Sequence, residues 1–164
     1  MKSSVIGPRR LRWLLNLYPP LLLQRIRVVE FSEDFRRCRV RLGKSILTRN
    51  LYGTTFGGSI YSAADPFFPI LYWQILAREG RLLQAWLRAS KADFLKPAAS
   101  ALTLDFEISD EKLESARSQL EEKGRAVMTD TVEGIDREGH CCARIELVSI
   151  LRPPPEGEEP ARVF

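Results

Sequence analysis

The chain is 164 residues long, 45% hydrophobic and 28% charged, with a formal charge of +4. That is one domain with enough apolar content to bury a core. Three cysteines without CxxC or His/Cys ligand spacing argue against a zinc site, and with no secretory signal they fit a reducing, cytoplasmic compartment.

The charge is uneven. Residues 1–44 carry eleven Lys/Arg against three Asp/Glu, and the remainder fourteen against eighteen. A basic third of this kind suits phosphates, anionic lipid or an acidic partner, and in its plainest reading is a solvated face. Nothing in it calls for nucleic acid. No Walker loop, dinucleotide fingerprint or metal motif is present, so no cofactor is expected.

In RRLRWLLNLYPPLLLQRIR, positive charge precedes an apolar run as in a signal peptide. However, Asn16 and Pro19-Pro20 interrupt the run, no A-x-A pattern follows, and it is too short to span a bilayer. Residues 9–18 read instead as a short amphipathic helix ending at the two prolines, within a helical extension over residues 1–24. It lies on the protein, with a membrane surface as the lesser alternative.

Residues 25–31 and 35–42 form a hairpin. In the second strand Cys38, Val40 and Leu42 alternate with Arg37, Arg39 and Arg41, which buries one face. From Gly58 to about Arg78 the chain is apolar nearly all round, without alternation. This is the main helix, closed by Gly80 and enclosed on most sides. Strands follow at 84–95 and 101–109, then a charged short helix or loop at 110–123. A second hairpin, 125–135 and 141–152, turns at DREG. The Pro- and Glu-rich segment 153–164 reads as a disordered tail. Strands gathered round one enclosed helix make an α+β domain over residues 25–152, with an antiparallel sheet wrapped about the helix. Such a sheet leaves an edge or face for association.

The function turns on NLYGTTFGGSIYSAADPFF, residues 50–68. Gly57-Gly58 opens the main helix and allows close approach of a ligand. The helix start offers unpaired N–H groups and the positive dipole end to a carbonyl oxygen. Asp65 lies seven residues further on, roughly 10 Å along the same helix, too far to reach a carbonyl held at that helix's own start. If the two cooperate, the site is composite and the protein a dimer. The structural alternative is an Asp65 N-cap with Pro66 at N1, breaking the helix in two without any chemistry.

N-x-x-G-T-x-F-G-G-S-x-Y-x-x-A-D-P resembles the signature of the hotdog-fold thioesterases, in which Asn, then His-Gly-Gly, then an acid recur. Asn50, Gly57, Gly58 and Asp65 fall on those positions, and Phe56 stands where the family has its histidine. KADFLKPAASALTLDFEIS and GRAVMTDTVEGIDREGHCCARIELVSILR resemble the later strands of that superfamily. The LNLYPP, GT-x-FGGS and ADP stretches are closest to an uncharacterised branch, a domain-of-unknown-function family. The resemblance covers roughly residues 25–152 and implies a hotdog fold: an antiparallel sheet around a long central helix, paired into a dimer or a dimer of dimers.

By the same resemblance the activity is acyl-CoA or acyl-carrier thioester hydrolysis. Asp65 is then nucleophile or base, the Gly58 amide binds the thioester oxygen, and Asn50 helps position water or acid. Gly57, Phe56 and Tyr61 would line the substrate site, and Arg88, Lys91 and Lys96 are candidates for coenzyme A phosphates. His140, the single histidine, sits at a hairpin turn and reads as a surface residue; this argues against a hotdog dehydratase, which pairs a histidine with an acid. The alternative function is a non-catalytic acyl-thioester or lipid-binding module, motivated by Phe56 and Pro66.

Overall fold

The strand alternation and the enclosed helix organise the computed structural model, which describes residues 5–155 and 157. The expected disordered tail falls, for 156 and 158–164, outside the described residues. In chain order the elements are α1 (Pro8–Leu17), α2 (Pro19–Leu23), β1 (Ile26–Phe31), β2 (Arg37–Leu42), α3 (Gly57–Ala64) and α4 (Phe67–Arg78). They continue with β3 (Gln84–Phe94), β4 (Leu102–Glu107), α5 (Asp110–Lys123), β5 (Ala126–Ile135) and β6 (Cys141–Arg152). The strands form one antiparallel sheet in the order β1-β2-β4-β5-β6-β3.

Period-two alternation decides which face is inside. Cys38, Val40 and Leu42 of β2 and Leu102, Leu104 and Phe106 of β4 are buried, while Arg37, Arg39 and Arg41 point outward. The buried face holds α4, whose Phe67, Phe68, Leu71, Tyr72 and Leu76 are almost wholly covered. Phe67 and Phe68 both pack on the Phe106 ring, at 5.2 and 5.1 Å between centroids. An offset or edge-on aromatic contact adds to the area each ring buries, so this cluster anchors the helix to the sheet.

Three expectations are corrected in detail. The long helix over 58–78 is two segments, α3 and α4, meeting at Asp65-Pro66. Pro66 has no N–H for the Ser62 carbonyl and Pro69 none for that of Asp65, so two rungs are lost within one turn. Both Asp65 and Pro66 keep right-handed helical dihedrals, and the chain bends without reversing. Pro19-Pro20 ends α1 as expected but also starts α2, because proline's fixed φ suits the first helical turn. Residues 110–123 are a full helix, with the Ser109 hydroxyl accepting from the Lys112 amide at its start.

The two sheet edges are treated differently. Beside β1, the Val28 N–H donates to Asn16 Oδ1 at 2.7 Å and Asn16 Nδ2 donates to the Val28 carbonyl at 3.0 Å. Arg12 Nη1 also donates to the Val29 carbonyl at 3.0 Å. Helix α1 thus covers that edge with side-chain amide and guanidinium groups in place of a strand. The β3 edge, eleven residues long, pairs with β6 on one side and, among the described residues, has no strand on the other.

Beneath α4 lies a polar group whose partners come from segments distant in sequence. Asp130 of β5, 6% exposed, accepts from the Tyr72 hydroxyl at 3.1 Å and lies 3.5 Å from Lys112 Nζ. Burial pushes the Asp130 carboxyl and the Tyr72 phenol above their ordinary values, with the Asp130 charge adding to the rise at Tyr72. A polar trio that ties α4, α5 and β5 together is costly to break, because the remaining buried acceptor loses a donor. Tyr72→Phe should therefore lower the unfolding free energy by about 1–3 kcal/mol in urea titration, with an unchanged m-value.

Candidate active site

The segment before α3 is a tight turn held by its own side chain. Asn50 Oδ1 accepts from the Tyr52 and Thr54 amides at 3.0 and 3.1 Å, and Asn50 Nδ2 donates to Thr54 Oγ1 at 2.8 Å. This is asparagine's turn-forming habit, and it engages both ends of the Asn50 amide inside the turn. The Thr55 N–H then donates to the Ala98 carbonyl at 2.9 Å and the Phe56 N–H to that of Thr48 at 2.7 Å. These bonds fix the point at which α3 begins.

The start of α3 is uncapped. Phe56, at the N-cap position, has no side-chain oxygen to offer, and its carbonyl accepts from Ser59 and Ile60 at 3.0 and 3.2 Å. Among the described residues, the N–H groups of Gly57 and Gly58 have no partner. Two free amides at a positive dipole end can polarise a carbonyl oxygen. The glycines are needed for space. A Cβ on Gly58 would meet the Phe56 ring at 2.4 Å, and one on Gly57 the Phe94 ring at 3.1 Å. Both rings stand in the open, 56% and 55% exposed, and flank the two amides.

Asp65 closes α3 at the other end. It is the C-cap residue, its amide donates to the Tyr61 carbonyl at 3.1 Å, and the N-cap of α4 is Pro66 with no side-chain cap bond. The carboxylate caps neither helix. Among the described residues it makes no hydrogen bond or ion pair, it is exposed on the protomer, and its desolvation by the surrounding chain raises its pKa above the ordinary value. Tyr61, one turn into α3, is hydrogen-bonded to Ser90 of β3, which ties this helix to the open edge strand.

Phe56, Gly57 and Gly58 are therefore together, Tyr61 is one turn away on the same helix, and Asp65 is about 10 Å along it. Arg88 occupies the bulge of β3, where the register shifts between Leu87 and Ala89. Lys91 Nζ lies 3.6 Å from Asp93, and Lys96 follows the strand, its amide donating to the Cys142 carbonyl at 3.2 Å. All three side chains are exposed. Phe94 escaped the sequence reading; its one signal there was a large aromatic near the end of a strand, and its place beside Gly57 is set by the fold. His140 lies on the surface and bonds Asp136, whose other carboxylate oxygen accepts from the Glu138 and His140 amides within the hairpin turn.

The family profile that fits this arrangement covers residues 7–149 and is described as a domain of unknown function, DUF4442. The chain belongs to the DUF4442 family. No curated protein sequence is significantly similar to this DUF4442 chain. Among solved structures it is similar to a probable thioesterase of unknown function from Pseudomonas aeruginosa, with a TM-score of 0.75 at 16% identity over 91% of this chain and 98% of that one. It is also similar to a thioesterase from Haemophilus influenzae, with a TM-score of 0.69 at 13% identity over 96% and 98% of the two chains. The E. coli PaaI protein from the phenylacetic acid degradation operon scores 0.61 at 17% identity over 86% and 89%. At these identities the likeness establishes the hotdog fold for this DUF4442 member.

The state of Asp65 separates a cap from a reactive group. An N-cap lost on substitution lowers stability by about 1 kcal/mol. A carboxylate with a raised pKa does the reverse: the folded state holds the proton more tightly than the unfolded chain, so its contribution is favourable at low pH and is lost as pH rises through the folded pKa. Asp65→Asn should thus leave the thermal midpoint at pH 7 unchanged or higher by differential scanning fluorimetry. A lower midpoint would mark Asp65 as a structural cap.

Proposed function

We propose that the protein is an acyl-thioester hydrolase, acting on an acyl-CoA or acyl-carrier thioester as a homodimer or dimer of dimers with composite sites. The observation that carries this reading is the opposition on α3: unpartnered amides at Gly57 and Gly58, and an unpartnered carboxylate at Asp65 beyond their reach. A two-fold partner brings the missing half of each site. The open β3 edge, tied to α3 through Tyr61 and Ser90, supports association on this side of the molecule. The thioesterase names carried by the Pseudomonas and Haemophilus structures support the reaction class.

In this mechanism Asp65 takes a proton from water as the water oxygen bonds to the thioester carbon. The carbonyl oxygen becomes an oxyanion held by the amide of Gly58 of the partner subunit. Collapse of the tetrahedral adduct breaks the C–S bond, and the proton on Asp65 passes to the departing thiolate, giving acid and thiol. Direct attack by Asp65, with hydrolysis of the resulting anhydride, reaches the same products. The raised pKa of Asp65 suits a base that must accept and return a proton. Phe56 and Phe94 would shield the reacting carbonyl from bulk water, Phe56 occupying the family's histidine position without a proton to exchange. Asn50 acts by holding the turn that presents those amides. The alternative is an acyl-thioester or lipid-binding module without hydrolysis, favoured by the same Phe56.

The test is turnover of an acyl-CoA panel. Asp65→Asn should reduce kcat by about 10²–10⁴-fold. Because the base must be ionised, the wild-type rate should fall as pH drops through the Asp65 pKa, and this limb should vanish in the variant. Ligand capture without Asp65-dependent thiol release would establish the binding module instead. Subunit mixing tests the composite site. Asp65→Asn and Gly58→Leu chains, each inactive alone, should recover about a quarter of wild-type activity when refolded together, since half of the dimers would hold one intact site. No recovery would place both groups on one chain.

A further inference from the structure

The outward face of the sheet carries a second feature that the hydrolase reading does not use. On β2, two of the three outward arginines face carboxylates across the ladder. Arg39 stands opposite Asp105 and Glu30 and bonds Asp105 at 2.6 and 3.0 Å, and Arg37 stands opposite Glu107. Arg41 is the exception, with Thr103 on one side and Arg27 on the other. Like charges directly opposite on paired strands repel, and the sheet leaves this pair uncompensated.

The same place holds a strained residue. Arg25 has φ of +57°, in the left-handed region that a bulky side chain rarely adopts. Gly43 lies against it, its N–H donating to the Arg25 carbonyl at 2.9 Å. Arg25, Arg27, Arg41, Lys44, Arg49 and Arg137 line one cavity of about 660 Å³, floored by the small residues 99–101. No carboxylate lines it, and among the described residues none of these six cations is in an ion pair. Lys44 is held to that floor by donating to the Ala99 carbonyl at 2.9 Å.

Six cations lining one cavity, two of them directly opposed, are unfavourable unless an anion occupies the space between them. We propose that this cavity binds the phosphate groups of a soluble nucleoside bisphosphate, the end that a coenzyme A thioester presents. Planar guanidinium groups donate to phosphate oxygens in pairs. The concave, small-floored site fits a compact polyanion better than the convex acidic face of a carrier protein. The cavity is also connected to the candidate active site. Arg49 bridges to Thr55 across the turn, and from Thr55 to Gly58 is at most roughly 10 Å of chain, a span within reach of a pantetheine arm. The identification with a thioester substrate rests on the hydrolase reading; the phosphate site does not.

Calorimetric titration of the full chain with adenosine 3′,5′-bisphosphate tests it, with orthophosphate and with phosphatidylcholine vesicles containing phosphatidylserine as comparison probes. The bisphosphate should bind more tightly than orthophosphate, and more weakly as salt rises. Arg27→Gln/Arg41→Gln should weaken it roughly tenfold or more while the thermal midpoint stays level or rises, because the repulsion is gone. Should that pair fail to fold, Arg49→Gln/Arg137→Gln serves the same purpose. Absence of bisphosphate binding overturns the proposal, as does binding unchanged in these variants or binding lost in Arg88→Gln/Lys91→Gln instead. Binding to the anionic vesicles alone also overturns it and makes the face a membrane contact. An inactive protein that still binds the bisphosphate through Arg27 and Arg41 would sink the hydrolase and leave the site standing.

Discussion

Enclosure of the helical segment 57–78 is the constraint on which the rest of the structure depends. A helix that is apolar on every side can be stable in water only if something wraps it. The sheet does so, with Phe67 and Phe68 seated on Phe106 and the Tyr72 hydroxyl held by Asp130. Once α4 is fixed, α3 is fixed through Asp65-Pro66, and the ends of α3 come to lie where the chain cannot move them. The distance between the free amides and the carboxylate is then a property of helix geometry rather than of side-chain choice.

The glycine pair acquires its meaning in this setting. Glycine is commonly read as a licence for unusual dihedrals, yet Gly57 and Gly58 sit in an ordinary first helical turn. Their role is steric: each leaves room for an aromatic ring, Phe94 on one side and Phe56 on the other. The backbone amides are thereby bare of side chains and lie between two apolar surfaces. An uncapped helix start is a small thermodynamic loss, and here it falls at the glycine pair on which the proposed site is built.

Several features cost stability locally and recur near candidate sites: the ionisable Asp65 without a partner, the left-handed Arg25, and the Arg27–Arg41 pair. Elsewhere the same chain is careful. Arg39 is matched by Asp105 and Glu30, Arg117 by Glu79 and Glu114, and Arg144 by Glu133. Where Arg27 and Arg41 stand opposite each other the sheet departs from this matching, and such departures are where function is to be sought.

Much of this was legible in the sequence, because period-two alternation and all-round apolarity are local signals. They gave β1 to β6 to within a few residues, the enclosed helix and the antiparallel sheet. The local record also held Gly57-Gly58, Asp65, and the basic excess of residues 1–44. It could not say that Asn50 would turn its side chain into its own loop, or that Pro19-Pro20 would begin a helix as well as end one. Alternation in β5 puts Asp130 in phase with Met128 and Val132, yet only the fold supplies the partners, Tyr72 and Lys112, distant in sequence, that let a carboxylate sit there. The amphipathic pattern decides which residues face inward. Only the packing of distant segments decides which polar groups meet, and hence that six scattered cations share one cavity while the two ends of a single helix are kept apart.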